Sequence, residues 1–401
     1  MAMKKQLNLF LFCLILTVPA FAQQPLQWKF PTAGGIHGEP AVTEKVVYVG
    51  SNDMNLYALD KATGRQIWKY ATAGAIRSMP AVTPGKVLFN SADGNIYAVD
   101  KKKGTLLWTF KTGGEQHYDT WDYYLSSPVT EGRVLYAGSG DSSVYAIDIE
   151  SGKLRWRFKT GGVVHASPVV RNGKVFIGSY DGHFYVLDAQ NGKLVWTFKT
   201  LGDPAFPKGE VQRAAYVDDD QVIFGSRDFY IYSLNTQTGE QKWNMKEKGS
   251  WVIATPTLHK GNLFVGTSDT HQFYSLDAAT GKVNWVMPLN MRVYATALIM
   301  DDKLVFGCFN GRVYFADPAT GKVIKTFQTE ESKKNHALVY DDTDHIRKDF
   351  DMYGDNYLQA EKHILSLGSI LSGPVAADGV LYFGDANGYF YALDMQKVAG
   401  K

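Results

Sequence analysis

One phrase recurs through this chain. It reads "NLYALDKATGRQIW" up to Trp68, "SVYAIDIESGKLRW" up to Trp156, "HFYVLDAQNGKLVW" up to Trp196 and "QFYSLDAATGKVNW" up to Trp285. Such a repeat constrains the fold more than any other signal, because each unit is one supersecondary element that must bury itself against its neighbours. Aligned on the end of the phrase, the units fall at Trp28, Trp68, Trp108, Trp156, Trp196, Trp243, Trp285 and Lys325, where the Trp is lost. The steps are 40, 40, 48, 40, 47, 42 and 40 residues. A second half-unit, of the form "SPVVRNGKVFIGSYDG", aligns at Pro40, Pro80, Pro128, Pro168, Ala215, Pro256, Ala297 and Pro374. Both halves occur eight times, but out of phase. The first Trp half precedes any other strand segment, and the last segment, ending at Asp394, has no Trp half after it. The N-terminal "LQWKF" therefore supplies the last strand of the final unit and closes a ring.

Each unit reads as four strands, the first beginning at the Pro and the others represented by "KVFIGS", "HFYVLD" and "LVWTF". Between the third and fourth, Asp-x-x-Thr-Gly-Lys supplies a tight turn, with Gly taking positive φ and Asp bonding turn amides. The strands are nearly continuous in apolar character, as expected when both sheet faces are covered. The expected fold is all-β: an eight-bladed β-propeller of four-stranded antiparallel blades, with Trp28, Trp68, Trp108, Trp156, Trp196, Trp243 and Trp285 wedged between blades. Aromatics at 13%, with 39 Gly, suit short strands and turns rather than long helices.

The first 22 residues stand apart. "MAMKKQLNLFLFCLILTVPAFAQQ" has a basic start at Lys4 and Lys5, an apolar run too short to span a bilayer, and "AFA" before Gln23. This predicts a signal peptide cleaved after Ala22, an exported periplasmic or secreted protein, and a single propeller domain over 23–401. Without the leader, 42 basic residues become 40 against 40 acidic ones. A neutral chain argues against a nucleic-acid partner. Cys308 is then the only cysteine, so no disulfide and no CxxC site is available. Cys13 lies inside the apolar run, so no lipid anchor is expected. A membrane span is not expected either, and the protein should be a monomer.

"YAIDIESGKLRW" resembles the Trp-docking repeat of the quinoprotein-type (PQQ-like) eight-bladed propellers, and the likeness covers about Leu26 to Asp394. That family includes quinone-dependent dehydrogenases and non-enzymatic scaffolds. In length, blade count and export signal the chain is similar to the propeller subunit of the bacterial outer-membrane β-barrel assembly machinery, though it lacks a lipobox cysteine. The enzymes of the family hold a planar quinone sandwiched by a Trp and usually a vicinal disulfide, with Ca²⁺ and an Asp base. Here there are no vicinal cysteines. Trp251 could stack, and Arg77, Arg213 and Arg292 lie near the channel.

Three steps exceed the period, placing insertions at 113–125, 201–212 and 328–371, all on one face of the ring. Function is expected there, since loops on a rigid scaffold carry binding groups. Three residues before each aligned Pro, the channel mouth is ringed by His37, Arg77, Leu125, His165, Gln212, Ile253, Tyr294 and Leu371, and none is acidic. The first insertion adds Tyr118, Trp121, Tyr123 and Tyr124, residue types that anchor protein interfaces or cap a channel. His117, Asp119 and Asp122 are ligands by type but fit no standard metal spacing. In the third insertion, Asp349, Asp351, Gly354 and Asp355 resemble a calcium loop, with Ala360 where its last Glu would stand. A short helix is expected around Asn356–Leu365. No catalytic or metal residues emerge. The expectation is a non-catalytic, cofactor-free scaffold that binds an envelope protein through the insertion face, in envelope or outer-membrane protein assembly. The alternatives are a PQQ-dependent oxidoreductase using calcium and a glycan-binding or sensory module.

Overall fold

The computed structural model describes residues 25–398. The leader, its cleavage site after Ala22 and Cys13 lie outside the described residues. Strand pairing produces eight separate four-stranded antiparallel sheets. Blade 1 is typical, with Ala41–Val42 innermost, then Val46–Gly50, Asn55–Asp60 and, at the rim, Gln66–Ala71. Blade 8 takes three strands from the C-terminal end, Val375–Ala377, Val380–Gly384 and Tyr389–Asp394. Its fourth strand is Leu26–Pro31, which pairs Trp28 with Ala392 and Phe30 with Phe390. The two ends of the chain thus close the ring, as the out-of-phase halves predict.

Burial is graded across each blade. The second and third strands are buried almost throughout, as in Val46–Gly50 and Asn55–Asp60. The fourth strand alternates, and in Gln66–Ala71 only Trp68 is fully buried. The continuous apolar character expected for every strand therefore applies to the middle two alone, because the rim strand has solvent on its outer side. The innermost strands are half-buried in all eight blades and line the axial channel.

Seven seams share one device. Each Trp donates its indole N–H to a backbone carbonyl of the next blade, from Trp28 to Lys61 (3.1 Å) through Trp285 to Pro318 (3.1 Å). The turn glycine of that next blade lies against the same ring. A Cβ on Gly64 would stand 2.5 Å from the Trp28 indole, and Gly192 (φ +73°) meets Trp156 in the same way. Glycine is thus required twice over, by backbone conformation and by the close approach of the wedge. The "YDGHFY" part of the repeat serves the other end of the seam. Tyr185 donates to Asp181 (2.7 Å), which also accepts the Gly161 amide at the end of the preceding blade (2.7 Å).

The seam between blades 7 and 8 is built differently. Lys325 stands in the wedge position, and the turn after Asp394 is a helical turn, Met395–Val398, instead of a glycine turn. Here Met395 joins an apolar cluster with Val305, Phe315, Leu381 and Phe383, and Phe327 packs edge-on against Phe383 and Tyr391. The third insertion contributes two helices: α1 (Glu330–Asn335), capped by Thr329, and α2 (Tyr357–Ser366). Only α2 was anticipated. The signal for α1 is the Thr-Glu-Glu-Ser start, where Thr329 accepts the Ser332 amide and two acids sit in the first turn. Among the described residues no helix is long and apolar enough to cross a membrane.

Candidate functional site

Connections from a fourth strand to the next first strand leave the same face as the turns between second and third strands. All three insertions therefore emerge together around the channel mouth. The structure turns the first of them inward. Tyr123 and Tyr124 are 5% and 1% exposed, alongside the mouth residues Leu125, Ile253, Tyr294 and Leu371, which are all buried. Tyr124 donates its hydroxyl to the Leu371 carbonyl (2.8 Å), and Tyr123 lies edge-on to Phe309 and against Tyr294. Helix α2 closes over them. Its Glu361 accepts the Tyr123 hydroxyl and pairs with the buried Arg292 (2.8 Å), whose guanidinium also reaches Asp269. Seven apolar or aromatic groups therefore plug the channel on this face, and insertions 1 and 3 hold the plug jointly.

Polar residues fasten the plug to blades 4 and 5. His165, 2% exposed, donates from Nδ1 to Asp122 (2.9 Å) and from Nε2 to Glu115 (2.6 Å). Asp122 also accepts from the Tyr180 hydroxyl (2.8 Å) and the Tyr118 amide (3.0 Å). Burial by itself lowers the His165 pKa, but the Asp122 charge and the hydrogen bonds to Asp122 and Glu115 more than reverse this and hold it at about 9. Asp122 is correspondingly depressed: burial opposes its charge, and the His165 charge overcomes that. One blade pair further on, Arg227 pairs with Asp119 and donates from Nε to Gln212 (3.0 Å), and Gln212 donates to the Trp121 carbonyl (3.2 Å).

On the blade 1 side of the mouth the histidine is neutral. His37 donates from Nδ1 to the Tyr123 carbonyl (3.3 Å) and accepts at Nε2 from Asn52 (3.2 Å). Burial, then the neighbouring Arg77 charge, push its pKa down to about 3 against the pull of the Tyr123 carbonyl. Asn52 in turn accepts from Arg77 Nε (2.9 Å).

Beneath the plug lies an axial cavity of about 220 Å³. Its wall includes the residue just before the aligned Pro position of seven blades, and these residues hold each other across blades. The Met79 amide donates to Ser127 Oγ (2.9 Å), the Ser127 amide to Ser167 Oγ (2.9 Å), and the Gly373 amide to Glu39 (3.4 Å). Arg77 and Arg213 also line it.

The predicted residues thus form two groups. His37, Arg77, His165, Gln212, Tyr294, Tyr118, Trp121, Tyr123, Tyr124 and Trp251 do converge around one mouth, yet most of their hydrogen bonds go to residues outside this set, such as Glu210, Asn52, Glu115 and Glu361. His165 and His37 meet separate partners. Asp119 and Asp122 are engaged by Arg227 and His165. Asp351 accepts the Tyr353 and Gly354 amides, as in an ordinary turn. The residues that sequence reasoning passed over are Glu115, Glu361 and Arg227, the charged partners of the plug. Nothing in the repeat pattern marks them, because Glu115 meets His165 across 50 positions, Arg227 meets Asp119 across 108 and Glu361 meets Tyr123 across 238.

The quinoprotein resemblance implies PQQ and calcium near this mouth, and the residues present do not fit them. The axis is filled by Tyr123 and Tyr124. Trp251, the one stacking candidate, already carries the Arg227 guanidinium 4.2 Å over its ring, with Trp121 and Phe206 against its edges. Among the described residues no three His, Cys, Asp or Glu side chains group to hold a metal ion.

Comparison with known proteins agrees with this architecture. The solved structure of BamB from Moraxella catarrhalis superposes with a TM-score of 0.70 at 14% identity, covering 92% of this chain and 99% of that one. Quinohemoprotein alcohol dehydrogenase from Comamonas testosteroni superposes with a TM-score of 0.71 at 12% identity, covering 92% and 76%. The computationally designed Ika8 protein gives 0.67 at 14%, covering 91% and 97%. At such identities these likenesses speak for the fold alone. No curated protein sequence matches the chain. The family model described as outer membrane protein assembly factor BamB matches residues 17–120, 119–247 and 208–343, and with most of its propeller so matched the chain belongs to that family.

Proposed function

We propose that the protein is an exported, non-catalytic scaffold that binds a protein partner of the cell envelope on its insertion-bearing face, in the assembly of outer-membrane proteins. The observation that carries the reading is the plug. Insertions 1 and 3 seal the channel mouth with their own aromatics, so what this face offers outward is a surface and not a substrate pocket. That surface retains exposed apolar side chains on insertions 2 and 3, with Leu201 at 60%, Tyr353 at 54% and Leu358 at 53%. Rigid loops bearing exposed apolar groups on a packed base are what a protein partner uses. The opposite face carries short turns such as Asn172–Gly173–Lys174.

A photo-crosslinking amino acid at position 358, in the native envelope, should capture one discrete protein. Leu358→Asp and Leu201→Asp should weaken that capture, while Lys174→Glu leaves it intact. Capture from position 174 and none from 358 would place the working surface on the other face. A thermal shift with PQQ and Ca²⁺, together with dye reduction by alcohols, would reinstate the oxidoreductase reading.

A further inference from the structure

The axial cavity beneath the plug is distinct from the proposed partner surface. The plug seals it above, and the half-buried innermost strands lead down from it to the tight-turn face. It is therefore a well reached from the side away from the insertions. At ~30 Å³ per molecule its volume holds about seven waters.

The donors in this well outnumber the acceptors. Arg77 is pinned through Nε by Asn52, which is itself held by His37, and among the described residues neither of its Nη groups has a hydrogen-bond partner. Arg213 donates from Nη2 to Glu39 (3.2 Å) and Thr296 (3.5 Å) and lies 4.0 Å over the Tyr124 ring. Its Nε is buried without a partner. Ser127 and Ser167 each accept a neighbouring amide, which leaves the hydroxyl protons free to donate inward, and among the described residues Thr255 Oγ1 has no hydrogen-bond partner. Arg213 is paired with Glu39, whose Oε1 is already shared by Arg213, Thr296 and the Gly373 amide, and the carboxylate that acts on Arg77 is Asp122 of the plug, already held by His165. A partly dry site with surplus cationic and hydroxyl donors selects an anion, and a guanidinium with two free Nη groups matches a carboxylate edge-on. The rest of the wall is Met79, Pro128, Val129 and Pro168, which favour a carbon chain over an inorganic ion.

We propose that this well binds a small aliphatic carboxylate, held by the Arg77 guanidinium and the hydroxyls of Ser127, Ser167 and Thr255, with its carbon chain against Met79 and the two prolines.

Calorimetric titration of the purified mature protein with succinate tests this, with neutral succinamide and inorganic phosphate as comparisons. Succinate should bind, succinamide should not, and phosphate should bind more weakly than succinate. Arg77→Gln should weaken succinate by about tenfold or more, the loss of a charge-assisted hydrogen bond. Thr255→Val, which removes a hydroxyl with no partner among the described residues, should weaken it by a smaller factor while leaving the melting temperature unchanged. Absence of succinate binding, phosphate binding as tight as succinate, or undiminished affinity in Arg77→Gln would each overturn the assignment. Should Arg77→Gln fail to fold, undiminished affinity in Thr255→Val overturns it. None of these outcomes bears on the crosslinking at position 358.

Discussion

His37 and His165 occupy the same position of the repeat, three residues before the aligned Pro of blades 1 and 4, and both are buried at the channel mouth. Their ionisation is opposite. His37 faces a carbonyl, an amide side chain and the Arg77 charge, and its pKa falls to about 3. His165 lies between two carboxylates, Asp122 and Glu115, and its pKa rises to about 9. The backbone that presents them is equivalent, so the difference comes from what the first insertion lays over each. It offers His37 only the Tyr123 carbonyl, and His165 the two carboxylates of Asp122 and Glu115. A repeat fixes where a side chain stands; the inserted loop decides what it is.

The largest test of this contrast is Asp122→Ala. It leaves the buried His165 charge to Glu115 alone, strands the Tyr180 hydroxyl and the Tyr118 amide in the interior, and should lower stability by about 3–5 kcal/mol in urea unfolding. A cost near zero would mean that the plug is not fastened through blade 4. Next is the paired exchange of the two histidines for glutamine. His165→Gln leaves Asp122 without its counter-charge and should cost about 3 kcal/mol, whereas His37→Gln exchanges neutral hydrogen bonds and should cost about 1 kcal/mol. Equal costs would erase the distinction.

The pH dependence separates the two further. His165 has a folded pKa raised above its unfolded value near 6.5, so its contribution is complete below about 6.5 and is lost as pH rises through about 9. For His37 the folded pKa is depressed, so the unfolded chain takes up the proton first and stability falls as pH drops from about 6.5 toward 3. Melting temperature followed between these limits should decline on both sides of a neutral maximum. His165→Gln should flatten the alkaline limb and His37→Gln the acid one. The smallest effect is expected from Glu115→Gln, which keeps a hydrogen-bond acceptor for His165. It should cost about 1 kcal/mol and move the alkaline limb to lower pH; an unmoved limb would assign the whole effect to Asp122.

The ring itself was legible because its causes are local and repeated. Gly64 and Gly192 turn because the tight connection after Asp60 and Asp188 demands positive φ at the glycine, and Trp28 closes the circle because half-units out of phase leave one strand owing. The missing wedge at Lys325 was visible too, but not its replacement by Met395, Phe327 and the helical turn after Asp394, which depends on how the C-terminus lies across blade 7. Within the site, the eight mouth positions could be placed by counting. That Tyr123 and Tyr124 point inward could not, because an aromatic in a loop reads alike whether it anchors a partner or fills a channel.

What the sequence by itself determined is the number of blades, their strand order and the identity of the residues at each turn of the mouth, since these follow from period and from short-range sterics. What only the tertiary structure decided is which of those residues are charged, which are covered and which still have a bond to offer. Glu361 reaches Tyr123 across 238 positions and Glu115 reaches His165 across 50, and ionisation, burial and unspent hydrogen-bonding capacity are set by such neighbours in space, which no local pattern along the chain encodes.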